Sequence, residues 1–404
     1  MKAMFKKAIV WLDYQTLLAA SWRLAVIVFD WRAWLLRAPW GKPVVDAVYI
    51  PNLRDEDKPR YLGKWEPAEG HAGGLRLWLK GTSAHTRAIS TTTSELRTAR
   101  GREKAKEQFI SACSWAQKNG AKVVLLAAGT KHLFGDGKKL RKLFPKLVFT
   151  IGDNGTFLIL LAETLSGLRK AGLSKHARIA ILGPHGILGE SMVKALLGSG
   201  YSNLVGVDDR FRVVEKIKKK YGIEICTSFT ELGKVDAVVA CTHRDEARLT
   251  FEKLNLIKKP SKKIFVTDVA EPSNLSPREY RRCKGIVIRQ DAGNAYSPSL
   301  RYVLGYVSSS LFGLDKRVTF GCFAESLSIA GALNRGQVIL AELDWFSVNS
   351  SNMKVIAELF KRDGFTYPKP KCFGKYVRSF DLNLKLARPK FSWVLDFGRA
   401  IGLL

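Results

Sequence analysis

The residues with the clearest chemical spacing are the glycines of Gly183-Pro184-His185-Gly186-Ile187-Leu188-Gly189. An apolar run over 178–182 precedes them, and an amphipathic run opening at Glu190 follows. A GxxGxxG turn between a strand and a helix lets backbone approach a pyrophosphate, whose charge meets the free N–H groups of the helix. Asp208 and Asp209 end the next apolar run, where a carboxylate can accept hydrogen bonds from a ribose. Arg210 beside them and Thr242, after the fourth apolar run, complete the candidate cofactor set. A carboxylate fixed at a strand end repels a 2′-phosphate, so Asp208 and Asp209 favour NADH. Arg210 and Arg212, on flexible stems, oppose that preference. The second chemical candidate is the thiol of Gly321-Cys322-Phe323-Ala324-Glu325-Ser326, placed where a helix begins. Helix N-termini and nearby cations depress a cysteine pKa, and Lys316 and Arg317 lie just upstream. Cys241, at the end of the fourth apolar run, is a comparable thiol. The six histidines show no ligand spacing, so no metal is expected. His185 and His243 are read as solvent-facing loop residues, with the lining of a cofactor cleft as the alternative.

The elements that must position these groups follow from periodicity. Over 177–290, six short apolar runs (178–182, 203–207, 224–227, 236–241, 263–268 and 285–289) alternate with amphipathic stretches, one of them a short helix after 227. That alternation predicts a doubly wound parallel sheet. Upstream, the region 43–93 reads as irregular with strand-like pieces at 44–50 and 75–79. A helix is predicted over 95–119, with Gly120 as its stop, then buried strands over 122–128 and 147–151. The polar turn Gly152-Asp153-Asn154-Gly155-Thr156 leads into a helix predicted over 157–171. Helical patterning returns over 313–364.

Composition bounds the whole. A chain of 404 residues with 46% hydrophobic and 25% charged residues is globular and long enough for two or three domains. Six cysteines without a CxxC pair exclude a zinc ribbon or thioredoxin motif, and the expectation is a cytoplasmic chain with reduced thiols. The net charge of +30 draws it toward polyanions: nucleic acid, an anionic membrane face, or an acidic substrate such as a coenzyme A ester or carrier protein. Residues 1–42 hold five of the ten tryptophans and seven basic residues against Asp13 and Asp30. No uncharged run there is long enough to span a bilayer. Such a segment suits the lipid headgroup region, at the cytoplasmic side of a membrane, or the protein's own body. The tail 366–404 carries eight basic residues against Asp381 and Asp396, either a second surface-binding element or a solvated extension.

Cys322-Phe323-Ala324-Glu325-Ser326 resembles the CFAE segment of the cyanobacterial long-chain acyl-[acyl-carrier-protein] reductases. Other segments are similar in the same order along 94–365. Ser94–Lys118 resembles that family's helix ending in AQK-x-G, and Val123–Gly135 its following strand and loop. Gly152–Thr156 resembles its TGNTHT turn and Gly183–Gly189 its GATGDIG phosphate loop. Asp268–Asn274 resembles its DGGYPKN turn, and Asp363-Gly364-Phe365 its HGF ending. The family's VEH segment has no counterpart in Gln290–Asn294. The resemblance implies an α/β chain with a Rossmann-type sheet at 171–312. A discontinuous catalytic domain would lie at 43–170 and 313–365, with basic extensions at 1–42 and 366–404. It implies Cys322 as the acyl-accepting nucleophile, Gly152, Asp153, Asn154 and Thr156 in a substrate or cofactor pocket, and an aldehyde product. Its implied partner is acyl carrier protein or acyl-CoA, with nucleic acid not expected. Its cofactor is NADPH, since the family carries Ala-Arg-Asn where this chain has Asp208-Asp209-Arg210. Two other classes stay open: a shikimate- or glutamyl-tRNA-reductase-like dehydrogenase, and a non-catalytic nucleotide- or membrane-binding protein.

Overall fold

The computed structural model describes residues 24, 25, 28, 31, 34–41, 43–62, 66–242, 244–303 and 313–384. The expectations for residues 1–23, His243 and 385–404 lie outside these. Two compact units divide the chain. The first comprises the described residues up to Thr164, Gly186–Ala195 and Asp291–Tyr376; the second comprises Leu165–His185, Leu196–Gln290 and the chain from Val377.

The first unit is built on a mixed sheet of β1 (Ala47–Leu53), β2 (His71–Leu79), β3 (Thr82–Thr92), β4 (Val123–Ala127), β5 (Val148–Thr150) and β13 (Leu300–Tyr302). Its order is β13-β2-β3-β1-β4-β5, parallel from β3 to β5 and antiparallel at β2 and β13. In the same unit β12 (Asn294–Tyr296) and β14 (Val318–Phe320) pair antiparallel. The short helix α1 (Asp57–Leu62) follows β1. Val123–Ala127 is buried throughout, as a strand covered on both faces must be. Alternation sorts its side chains. Val124 and Leu126 join the core of Phe109, Ala112, Cys113 and Ala116 on α2 (Ala99–Lys118). Val123, Leu125 and Ala127 join the core of Leu327 and Ala330 on α9 (Gly321–Asn334). Thr98 caps α2 by accepting from Gly101 N, and Gly120 leaves it at φ +81°. The helices α3 (Lys138–Leu143) and α4 (Asp153–Lys170) flank β5, and α10 (Ser350–Asp363) packs on α9.

The second unit carries β6 (Ile179–Leu182), β7 (Leu204–Val207), β8 (Glu224–Cys226), β9 (Ala237–Ala240), β10 (Ile264–Asp268) and β11 (Val287–Asp291) in the order β11-β10-β9-β6-β7-β8. Every pairing from β10 to β8 is parallel. With α6 (Phe211–Tyr221), α7 (Phe251–Ile257) and α8 (Pro277–Cys283) as crossovers, and with α5 (Ile187–Gly198), whose residues to Ala195 count with the first unit, following β6 in the chain, this is the doubly wound Rossmann order that the sequence predicts. Its switch point lies between β6 and β9.

Four local expectations change. The region read as irregular holds β3, eleven residues rich in Thr and Ser. Its polar side chains are buried because the helices α2 and α9 pack against it. The turn Gly152–Thr156 is instead the first turn of α4, which begins at Asp153 rather than 157. The short helix after β8 is a turn, in which the Glu231 carboxylate accepts from the Thr227 N–H and hydroxyl. Finally, 366–384 is not a solvated extension. Thr366 pairs with Tyr296, and β15 (Lys371–Cys372) and β16 (Lys375–Tyr376) form a hairpin. Lys263 N donates to Leu382 O at 2.6 Å, while Phe380 rests 5.9 Å from Phe265.

Candidate functional site

In the first unit the carboxyl ends of parallel β4 and β5 deliver two charged groups side by side. After β4 the chain turns at Ala128, φ +53°, and Thr130 Oγ1 donates to Ile50 O and Ala127 O, both at 2.8 Å. That turn presents Lys131. After β5 it turns at Gly152, φ +72°, into α4, presenting Asp153. Lys131 and Asp153 form an ion pair. Burial works against the lysine's charge, but Asp153, with help from Cys322 and Glu325, holds its pKa above the ordinary value.

Cys322 meets this pair from the first turn of α9. A Cβ added to Gly152 would fall 2.2 Å from Cys322 Cβ, so only glycine fits that position. One helical turn on, the buried Glu325 ties three elements together. Its Oε1 accepts from Thr150 Oγ1 on β5, and its Oε2 accepts from Gly155 N on α4 at 2.6 Å. Thr150 Oγ1 in turn accepts from Gly152 N at 2.9 Å, and Thr156 Oγ1 donates to Gly152 O at 2.9 Å. Gly321 packs on the backbone of Thr156, where a Cβ would lie 2.7 Å from its Cα. From β1, Tyr49 stacks on Phe323 at 4.0 Å and donates its hydroxyl to Phe323 O. Asn154 is buried and donates to Ser347 O, leaving its Oδ1 without a partner among the described residues.

The electrostatics correct one expectation. Burial pushes the Cys322 thiol up to about 11; Lys131 pulls it down, while Asp153 and Glu325 push it further up. The thiol is therefore protonated at rest, and the cation that acts on it is Lys131, not Lys316 or Arg317. Burial likewise raises the Glu325 carboxyl to about 7, against its hydrogen bonds from Thr150 and Gly155. Cys241 is pushed up to about 12 by burial and by Asp268.

In the second unit the glycine loop leaves β6 at the switch point. Gly183 has φ +74°, and a Cβ there would lie 2.8 Å from Thr242 Cβ, so these two candidates are in contact. Pro184 is buried against Gly206 of β7. Gly186, Ile187, Leu188 and Gly189 run into the first turn of α5, where Gly186 O accepts from Glu190 N at 2.8 Å. Asp208 is buried at the end of β7 and pairs with His185 Nδ1 and with Arg210 Nε and N. His185 is thus not a solvent-facing loop histidine: the carboxylate at the strand end draws it inward. Burial alone would raise the Asp208 pKa; the His185 and Arg210 contacts hold it at about 2. Asp209 pairs with Arg244 Nη2 at 2.9 Å. A loop that admits no Cβ at Gly183 and an ionised carboxylate at the second strand end fit a nicotinamide dinucleotide. Among the described residues no group of three or more His, Cys, Asp or Glu could hold a metal ion.

The structure therefore brings Cys322, Gly152, Asp153 and Thr156 together in one unit and His185, Asp208, Arg210, Gly183 and Thr242 in the other. Reasoning from sequence missed Lys131, Thr150 and Tyr49. Lys131 was findable, since loops just beyond the carboxyl ends of parallel strands are where such folds place ligands. Glu325 stood in plain view, three residues after Cys322 and so on the same helix face.

No family model matches the chain, and no curated protein matches it. Among solved structures it is similar to D-mandelate dehydrogenase of Rhodotorula graminis at 14% identity, over 42% of this chain and 58% of that one, with a TM-score of 0.29. It is similar to a dipicolinate synthase chain of Bacillus halodurans at 15% identity, over 61% and 71%, with a TM-score of 0.31. A D-lactate dehydrogenase of Treponema pallidum gives 15%, 61% and 78%, with a TM-score of 0.27. The chain thus spans little more than half the length of the mandelate enzyme.

Proposed function

We propose that this chain is a nicotinamide-dependent oxidoreductase that reduces fatty acyl thioesters to aldehydes through an acyl-enzyme on Cys322. One observation carries the reading: Cys322 sits at a helix start against the Gly152 turn, with the Lys131–Asp153 pair and the Glu325 carboxyl around it. A thiol, a cation and a carboxyl titrating near neutrality are what thioester exchange requires. Glu325 accepts the thiol proton, and the Cys322 sulfur adds to the acyl carbonyl. The carrier's sulfur leaves and takes a proton, and the acyl group remains on Cys322 as a thioester. The reduced nicotinamide, when bound, supplies the hydride. Lys131 would stabilise the Cys322 thiolate released with the aldehyde. Gly183 and Asp208 would hold the cofactor, with NADH favoured because Asp208 stays ionised. The excess of basic residues suits an acidic acyl carrier protein or the phosphates of acyl-CoA.

Incubation with labelled acyl-CoA or acyl-[acyl carrier protein], followed by mass mapping, tests the reading. The label is expected on Cys322, with none in Cys322→Ala and with aldehyde released on adding reduced nicotinamide. Label on Cys241, or retained in Cys322→Ala, overturns it.

A further inference from the structure

Large apolar side chains from two separate segments stand open at one end of the first unit. Leu24, Val28, Trp31 and Leu35 recur at helical spacing and are all exposed, as are Trp34, Leu36 and Trp40. Trp31, 65% exposed, lies 6.2 Å from Trp34. The second segment follows α9, where Val338 and Ile339 are 72% and 60% exposed. A buried carboxylate joins the two. Asp46 Oδ2 accepts from Arg37 Nη2 and Ser83 N, at 2.9 and 2.7 Å, while its Oδ1 accepts from Asn334 Nδ2 at 2.9 Å. Arg37 lies in the first segment, three residues before Trp40, and Asn334 ends α9 four residues before Val338. Both apolar sets therefore share one end of the unit.

That end is also basic. Arg335 faces the like charge of Arg362, and Lys80 Nζ, at the tip of the β2–β3 hairpin, donates to Arg362 O. Asp363, on Arg362, is the acid that pairs within this group, and Asp46 is consumed in the knot. Exposed tryptophans and aliphatics, with Lys80, Arg335 and Arg362 at the same end and Glu342 as the first exposed acid after Ile339, match the two layers of an anionic membrane surface, acyl boundary and phosphate headgroups. No helix among the described residues is long and apolar enough to cross a membrane.

We infer that this end of the first unit, formed by Leu24, Val28, Trp31, Trp34, Leu35, Trp40, Val338, Ile339 and the basic residues beside them, docks on an anionic bilayer. The inference stands independently of the acyl-transfer reading. Cys322 lies at the opposite end of α9, about 18 Å along its axis, so docking leaves the thiol side open. Binding combines insertion of apolar side chains with a headgroup attraction of about fivefold per basic residue.

The test is co-sedimentation of the full chain with phosphatidylcholine vesicles, with and without about one third phosphatidylglycerol, at about 0.05 M and about 0.5 M salt. Binding is expected only to the anionic vesicles, at least about tenfold weaker at the higher salt. Arg335→Glu, and Val338→Asp with Ile339→Asp, should each weaken it at least about fivefold at unchanged Tm. Brominated lipid should quench tryptophan emission less in Trp31→Phe with Trp34→Phe than in the unmodified chain. Equal binding to both vesicle types, no binding, or binding untouched by these substitutions overturns the inference. So does a concentration-dependent dimer that the Val338 and Ile339 substitutions dissolve in the absence of vesicle binding.

Discussion

Burial sets the resting state of Cys322, and Lys131 is the group that opposes it. With the thiol at about 11, alkylation of the free protein by iodoacetamide should be slow at neutral pH and rise about tenfold per pH unit toward that value. Lys131→Met removes the cation and leaves Asp153 unpaired, two changes of the same sign. The rate at fixed pH should then fall, and its midpoint should move up; an unchanged profile would remove Lys131 from the site. Glu325 gives a pH dependence of stability. Its folded pKa of about 7 lies above that of an unfolded glutamate, about 4.3. The buried acid's stability is therefore intact below the unfolded value and lost as pH rises through about 7. The loss amounts to about 4 kcal/mol, and Glu325→Gln should flatten it. Denaturation midpoints of both proteins between about pH 4 and 8 check the sign.

At the scale of elements, three segment starts converge on one point: the turn after β5, the first turn of α4 and the first turn of α9. Gly152 is where they touch. Alanine there would have to accept φ +72° and would place its Cβ 2.2 Å from Cys322 Cβ. Neither the β5 turn nor α9 can yield without breaking the Thr150–Glu325–Gly155 hydrogen bonds. Gly152→Ala is expected to cost about 2–4 kcal/mol and to lower Cys322 acylation at least about tenfold. The measurement is a urea melt beside the labelling rate. A variant that melts normally and acylates normally would show that the turn does not position the thiol.

Across the whole molecule, cofactor binding is read most directly as a shift in stability, since a ligand that binds only the folded chain stabilises it by mass action. At a concentration about a hundredfold above Kd the gain is about 2.7 kcal/mol. NADH should raise Tm more than NADPH at equal concentration, because Asp208 stays ionised at the end of β7. Asp208→Ala removes that negative charge and frees His185 and Arg210, and should bring the two cofactors level. A larger NADPH shift in the unmodified chain, unaltered by the substitution, would reverse the assignment.

Periodicity made the second unit legible. Four of its six strands, β6, β7, β9 and β10, are short, mostly apolar and buried throughout, so each announces itself locally, and the glycine loop and Asp208 follow at fixed distances along the chain. The stop of α2 at Gly120 was legible for the same reason, while its start lies at Ala99 rather than at 95, after the extended Thr98. What local pattern could not reveal was β3, whose Thr and Ser residues are buried because α2 and the sequence-distant α9 pack against it. It also hid the start of α4, because Gly152–Thr156 has turn composition and becomes helical when Glu325, 170 residues on, accepts from Gly155 N. The same limit applies to the thiol. The sequence placed Cys322 at a helix start and so implied a lowered pKa. The fold half-buried it, chose Lys131 from another strand end as its counter-charge, and set Glu325 one helical turn on. Desolvation and Coulomb interactions depend on distance in space, which a linear order of residues does not contain.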